Sequence, residues 1–226
     1  MRYYPINLDI RGRQCLVVGA GRVGTRKVQT LRRCGAVVTV VSAAIDPSLT
    51  RQAAADADIV IKQRPYRRSD VEGMFLVVGA TDDETLNRQI HADAERSGLL
   101  CNIADRPEIC NFVLPAIVQR GDFVLAVSTA GKSPAFAKHV RKQLENQFGA
   151  EYGALLDLMG AIREKLLAEA HEPEAHKPLF ETLIAADLLG LVKNEAYERI
   201  DRLLEDVLGP GYRYSQLMTS HPPDGE

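Results

Sequence analysis

Val17-Val18-Gly19-Ala20-Gly21-Arg22-Val23-Gly24 is a G-x-G-x-x-G stretch placed directly after the apolar run Cys15-Leu16-Val17-Val18. A helical pattern follows from Thr25 to Cys34 and is closed by Gly35. A second strand pattern then begins, Ala36-Val37-Val38-Thr39-Val40-Val41. Strand, glycine turn, helix and strand in this order are the context a dinucleotide site requires. Gly19 allows the tight turn, Gly21 lets a pyrophosphate approach the backbone, and Gly24 lets the helix pack closely on the sheet. The helix N-terminus then faces the phosphates. The competing reading is a glycine-rich turn that holds no ligand, and the full context argues against it.

Alternation continues to about residue 112. Strand patterns at Asp58 to Gln63, Met74 to Val78 and Leu99 to Ala104 are separated by helical ones. Thr81-Asp82-Asp83-Glu84 reads as a capping box with Thr81 as N-cap. Such alternation predicts an α/β fold with a parallel, doubly wound sheet. Ligands of these sheets sit beyond the carboxyl ends of the strands, so Gly19, Ser42, Ala80 and Asp105 are expected along one rim. After residue 112 the pattern changes. Phe112 to Ile117 and Phe123 to Ser128 have no helix between them and are expected to pair antiparallel. Ser133-Pro134 is a helix start. Helices are expected to Phe148, over Glu151 to Ala170, Leu179 to Leu189 and Lys193 to Leu208. A disordered tail is expected from Pro210, which leads to Pro222-Pro223.

Composition narrows the function classes. The 226 residues carry a net charge of −2, so no global field favours nucleic acid or an anionic membrane. No apolar run reaches the ~18–20 residues of a membrane span, and Met1-Arg2-Tyr3-Tyr4-Pro5 lacks a signal-peptide core. A cytoplasmic location is expected. The four cysteines, Cys15, Cys34, Cys101 and Cys110, form no C-x-x-C and read as buried structural thiols. His171-Glu172-Pro173-Glu174-Ala175-His176 reads as a solvated loop rather than a metal site, and no metal ligands are assigned.

Asp105 is the sharpest candidate for chemistry, because it follows an apolar strand on the ligand-facing rim. Its carboxylate suits a proton acceptor beside a nicotinamide; ligating a metal or opening the turn Asp105-Arg106-Pro107 are the alternatives. The ribose site is informative by absence. Strand two ends Val40-Val41-Ser42-Ala43, with no acid before Asp46 and no Arg just after it. Ser42 is then the candidate for a ribose 2′-hydroxyl and NAD is favoured over NADP, with Arg22 in the glycine loop as a candidate to reach a 2′-phosphate. Lys132 lies in a small-residue loop at a helix start, which suits an anionic ligand. Leu155, Leu158, Met159 and Ile162 form a helical stripe that fits either a homodimer interface or an internal core.

These residues together resemble the precorrin-2 dehydrogenase / sirohydrochlorin ferrochelatase family, the dehydrogenase part of siroheme synthase. The stretches that carry the likeness are Tyr4 to Ile10 with Gly12-Arg13, the glycine loop with Arg26-Lys27, Ala80 to Asp83 with Asn87, Cys101 to Pro107 with Phe112 and Pro115, and Ala126 to Pro134. The likeness covers residues 1 to about 150. It implies a Rossmann-like NAD-binding domain (1–112), a small α+β dimerisation region (113–149), and an all-helical C-terminal domain (150–209) before the tail at 210–226. It implies NAD-dependent oxidation of precorrin-2 to sirohydrochlorin, with insertion of Fe2+ as a second activity in some members. By the resemblance the catalytic aspartate falls on Asp105. By the same resemblance the NAD contacts fall on Arg22, Val23, Ser42 and Ala43; the motif itself adds Gly19, Gly21 and Gly24, with Thr81 as a further cofactor contact and Arg106, Ser128, Thr129 and Lys132 as expected substrate contacts. Two departures stand out: Ala20 and Arg22 within the loop, and Thr129 where some members carry serine in a Ser-Ser-Gly-Gly stretch. No methyltransferase pattern lies in these residues, so synthesis of precorrin-2 is not expected of this chain. A non-catalytic NAD-binding sensor is the reading from another class.

Overall fold

The computed structural model describes residues 2–169 and 173–220. Two compact units emerge. One runs to Leu114 and includes Ala130–Lys132; the other takes up Pro115–Thr129 and continues from Ser133. Residues 113–149 and 150–209, read apart in the sequence, therefore fall together in the second unit, except for Val113, Leu114 and Ala130–Lys132, which belong to the first.

The first unit is a five-stranded parallel sheet in the order β3-β2-β1-β4-β5. The strands are β1 (Gln14–Ala20), β2 (Val37–Ile45), β3 (Ile59–Gln63), β4 (Leu76–Gly79) and β5 (Leu100–Ile103). Three helices serve it: α1 (Arg22–Arg33), α2 (Pro47–Ala55) and α3 (Glu84–Arg96). Central β1 is buried from Cys15 to Ala20, the continuous apolar run of a strand covered on both faces. Its alternate residues serve two cores. Cys15 and Val17 pack with Val28 of α1 and Leu49 of α2. Leu16 and Val18 pack with Ile90 and Ala94 of α3. The strand order turns between β1 and β4, and the crevice of such a sheet opens at that switch.

Several local expectations are corrected. Asp83, not Thr81, caps α3: its carboxylate accepts from the Leu86 amide at 3.0 Å. Thr81 instead donates its hydroxyl to Asn87 Oδ1 at 2.9 Å. Strand two does not end at Val41 but runs on to Ile45, which pairs with Ala20. Cys15 and Cys101 are buried, but Cys34 is exposed at the C-cap of α1 and Cys110 is half-buried; all four thiols are free.

The second unit begins with the antiparallel ribbon β6 (Ala116–Arg120) and β7 (Phe123–Val127). Next come α4 (Pro134–Gln147), capped by Ser133 through the Phe136 amide, and α5 (Glu151–Ala168). Phe123 stacks on Tyr152 at 5.1 Å and meets Phe148 at 5.6 Å, fastening the ribbon to the start of α5. The remaining helices are α6 (Pro173–Ala185), α7 (Leu188–Lys193), α8 (Tyr197–Leu208) and α9 (Tyr214–Ser220). Asp187 takes φ 59°, which stops α6, and its side chain caps α7. Glu195 at φ 50° separates α7 from α8, so the helix expected over Lys193 to Leu208 starts only at Tyr197, and the one expected over Leu179 to Leu189 is broken at Asp187.

Of the stripe Leu155, Leu158, Met159 and Ile162, Leu158 and Ile162 are buried in this unit's own core with Leu183, Ile200 and Leu204, Leu155 packs against that core, and Met159 is half-buried. It is therefore a core stripe. The expected tail is corrected too. Tyr212 and Leu217 fill the same core, Tyr212 donates to Glu169 Oε2 at 2.7 Å, and the chain is helical to Ser220. Pro222-Pro223 lie outside the described residues. So does His171, whereas His176 is buried on α6 rather than solvated in a loop. Among the described residues no helix is long and apolar enough to cross a membrane.

Candidate cofactor and catalytic site

The glycine loop is built by close approach. Gly19, at φ 100°, lies so near the loop after β4 that an added Cβ would stand 2.3 Å from the Ala80 oxygen. At Gly24 an added Cβ would stand 1.9 Å from the Gly19 oxygen. Both positions therefore require glycine for packing. Gly21 is different. Its φ of −77° and ψ of −171° suit any residue, and a Cβ there would meet nothing within 4 Å. The fold itself does not demand glycine at 21, and the bare backbone there leaves room for a ligand to approach it.

Gly21 is the N-cap of α1, and the first intrahelical bond runs from Thr25 N–H to Gly21 O at 2.9 Å. The amides of Arg22, Val23 and Gly24 thus form the unfilled N-terminal turn, and no acidic side chain stands in it. Amides, helix dipole and open backbone together fit a pyrophosphate. Arg22 is exposed and Val23 half-buried at the edge of this turn.

Thr81 closes the facing side. Its main-chain oxygen accepts from the Asn87 side chain at 2.9 Å, so a buried amide on α3 fixes this loop against Gly19. On β2, Ser42 donates its hydroxyl to Ala44 O at 2.7 Å, leaving the oxygen's lone pairs as acceptors; Ala43 is exposed beside it. Asp46, the first acid after β2, is spent on capping α2 through the Ser48 amide and hydroxyl.

Asp105 follows β5 on the same rim, exposed, with φ 59°. Asp tolerates this left-handed conformation better than most side chains, though glycine would suit it better still. Lys27 of α1 is half-buried nearby. Burial, reinforced by Arg26, pushes its ammonium below the usual lysine range, while Asp105 and Cys110 pull it back up. Arg106 is already engaged, 3.3 Å from Glu84 and 3.9 Å from Glu108. Arg88 first, and Arg106 after it, hold the Glu84 carboxyl below its usual range. These exposed pairs are weak, so an incoming carboxylate can exchange with them.

Lys132 is exposed, and its loop belongs to the first unit: Gly131, at φ 81°, lies against Pro107. Asp105, Arg106 and Lys132 therefore share one unit. Ser128 and Thr129 belong to the second. Thr129 donates to Ser133 O at 3.1 Å and accepts from its N–H at 3.2 Å, which secures the approach to α4. Lys27 carries a charge beside Asp105 that the glycine pattern alone does not reveal; its spacing from Gly24 on α1 was the available signal. Among the described residues no group of three His, Cys, Asp or Glu side chains is arranged to hold a metal ion.

The two kinds of glycine predict different failures. Gly24→Ala forces α1 off the Gly19 carbonyl and should destabilise the unit by ~1–3 kcal/mol in denaturant titration. Gly21→Asp should leave the midpoint nearly unchanged yet abolish NAD binding in calorimetry. Retained NAD affinity in Gly21→Asp would remove the phosphate assignment.

Comparison with known proteins agrees with this geometry. Residues 6–116 match a family described as putative NAD(P)-binding. Residues 120–147 match the central segment of sirohaem biosynthesis proteins. The siroheme synthase of Nitrosococcus oceani is 35% identical over 215 residues, covering 94% of this chain and 45% of that protein. The siroheme synthase of Thioalkalivibrio sulfidiphilus is 36% identical over 211 residues, covering 93% and 43%. The chain thus spans less than half the length of these curated relatives. The solved structure of SirC, a precorrin-2 dehydrogenase, superposes with a TM-score of 0.74 at 25% identity, over 88% of this chain and all of that one. NAD is the cofactor that the first unit is built to hold. Glycine loop and central segment together place the chain in the family of siroheme synthases and precorrin-2 dehydrogenases.

Proposed function

We propose that this protein oxidises precorrin-2 to sirohydrochlorin, with NAD⁺ as oxidant. The observation that carries the reading is Asp105, held left-handed at the carboxyl end of β5 beside the Lys27 ammonium. A turn alone would be easier with glycine there. The dehydrogenation removes one hydride and one proton from a carbon skeleton. When bound, NAD⁺ supplies the hydride acceptor. Asp105 takes the proton on its carboxylate, with the Lys27 ammonium near enough to feel its charge. The substrate carries several carboxylates, and Arg106 and Lys132, both of the first unit, offer cations to them. Gly19, Gly21 and Gly24, with the Arg22 and Val23 amides, hold the pyrophosphate, while Ser42, Ala43 and Thr81 border the ribose and nicotinamide ends. The structural likeness to SirC and the sequence likeness to siroheme synthases support the substrate. A cytoplasmic location fits such a biosynthetic step.

The region 113–149 is proposed as the dimerisation element, followed by the helical domain at 150–209. One face of the β6–β7 ribbon is covered by α4 and α5. The other presents Ile117, 43% exposed, and Val124, 44% exposed. A two-stranded ribbon with an apolar open face is marginal alone, and a second copy of the chain would cover it.

Four measurements test these readings. Asp105→Ala should lower the dehydrogenase rate by ~10²–10⁴-fold with NAD affinity intact, followed anaerobically by NADH absorbance; a near-parental rate would reduce Asp105 to a turn residue. Adding Fe2+ afterwards and recording the spectrum separates a chelatase activity from the dehydrogenase. With no acid free at the end of β2 and no Arg after it, kcat/KM should favour NAD⁺ over NADP⁺. The reverse order would make Arg22 a phosphate ligand. Light scattering at micromolar concentration should give twice the chain mass, and Val124→Lys should return the monomer; a monomeric parent protein would end the dimer proposal.

A further inference from the structure

Cys110 reaches beneath the turn that carries Asp105. Its Sγ lies 3.1 Å from the Ile103 amide, 3.1 Å from the Arg106 carbonyl and 3.3 Å from the Ile103 carbonyl. One sulfur therefore touches main-chain groups on both sides of the Ile103–Arg106 turn. The turn's own bond, Arg106 N–H to Ile103 O, is long at 3.3 Å, and it encloses the one residue of the turn with positive φ, Asp105. The thiol is itself held in place. Asn111, next in the chain, accepts from the Cys101 amide at 2.7 Å and donates to Leu99 O at 2.8 Å. Asn102 donates to Phe112 O at 3.1 Å. Residues 110–112 are thereby laced along β5, and Cys110 has a fixed position from which to grip the turn. Burial pushes its thiol above the usual cysteine range, against the pull of the Ile103 amide and Lys27, so the S–H donor persists at neutral pH.

We propose that Cys110 is a positioning residue: its thiol clasps the Ile103–Arg106 turn and thereby fixes the Asp105 carboxylate on the rim. The inference rests on the reading of Asp105 as proton acceptor. The clasp needs a side chain that both accepts from one main-chain N–H and donates to a main-chain carbonyl, in a half-buried place. Valine fills similar space and does neither. Serine does both, on a shorter bond.

The test uses the full chain and follows NADH formation from precorrin-2 and NAD⁺, with NAD affinity measured separately. Misplacing a reacting group by an ångström costs up to about a hundredfold. Cys110→Val should therefore lower kcat about tenfold to a hundredfold, with KM and NAD affinity within about twofold. Cys110→Ser should recover most of that loss, and Cys110→Ala, which cannot overpack, should behave like valine. The same valine placed in Asp105→Ala should cause no further loss, because coupled residues are not additive. Parental kcat in both Cys110→Val and Cys110→Ala would overturn the clasp. So would an equal loss in the Asp105→Ala background, or a parallel loss of NAD affinity, since either marks a general effect on folding. Asp105→Ala measured alone keeps the two claims apart: a near-parental rate there defeats the reading of Asp105 and the clasp with it. A slow Asp105→Ala with a normal Cys110→Val defeats only the clasp.

Discussion

At Gly24 the backbone of α1 lies directly on the carbonyl of Gly19, and at Gly19 the turn lies directly on the carbonyl of Ala80. No side chain can be inserted at either contact. This double approach draws the ends of β1 and β4 and the start of α1 to one point. Everything the first unit offers a ligand depends on it. The amides of the first helical turn face outward because α1 cannot stand further back. The open space at Gly21 exists because its neighbours take up the close contacts. A longer distance between helix and sheet would leave the same amides facing solvent with no crevice around them.

The second requirement is electrostatic. A nucleotide brings negative charge to α1, and the proposed substrate brings several carboxylates to the same rim. The chain answers with cations of graded availability. Lys27 is half-buried and neighbours Asp105, so its charge acts locally. Arg106 is held loosely by Glu84 and Glu108, in exposed pairs that solvent screens. Lys132 stands exposed on a loop carried by two consecutive residues with positive φ, Ala130 and Gly131. With a net charge of only −2 over the chain, attraction of the proposed anionic substrate would come from this local arrangement rather than from a global field.

The second unit obeys another logic. Its helices bury a core of their own, closed by Tyr212 and Leu217 from the end of the described chain. Its ribbon is tied down on one face only. Gly153 lets α5 approach the Arg120 carbonyl, where a Cβ would stand 2.8 Å away. Arg120 in turn donates to Phe148 O and Glu145 O, covering the C-terminal carbonyls of α4. The result is a rigid frame that leaves Ile117 and Val124 facing outward.

Much of this was legible in the residues. The glycine spacing, the apolar runs before and after it, and the strand–helix alternation name a parallel doubly wound sheet, because each is a local pattern with a local cause. The Ser133-Pro134 start of α4 and the rim position of Asp105 were legible for the same reason. Other features were decided by contacts distant in sequence. Thr81 has the capping chemistry, but Asn87 occupies its hydroxyl and Asp83 becomes the cap. Ser42 reads as a strand end, yet β2 continues because Ile45 finds Ala20 as its partner. The stripe on α5 has a period that serves an interface or a core equally, and only the packing of α6 to α9 selected the core. Residues after Pro210 look like a tail until Tyr212 and Leu217 meet that core. Cys110 is an unremarkable thiol in the sequence, and its place under the Asp105 turn follows from Asn111 lacing the chain to β5. Local sequence determines backbone preference and amphipathic period; which groups become partners depends on where the chain returns, and that is a property of the folded whole.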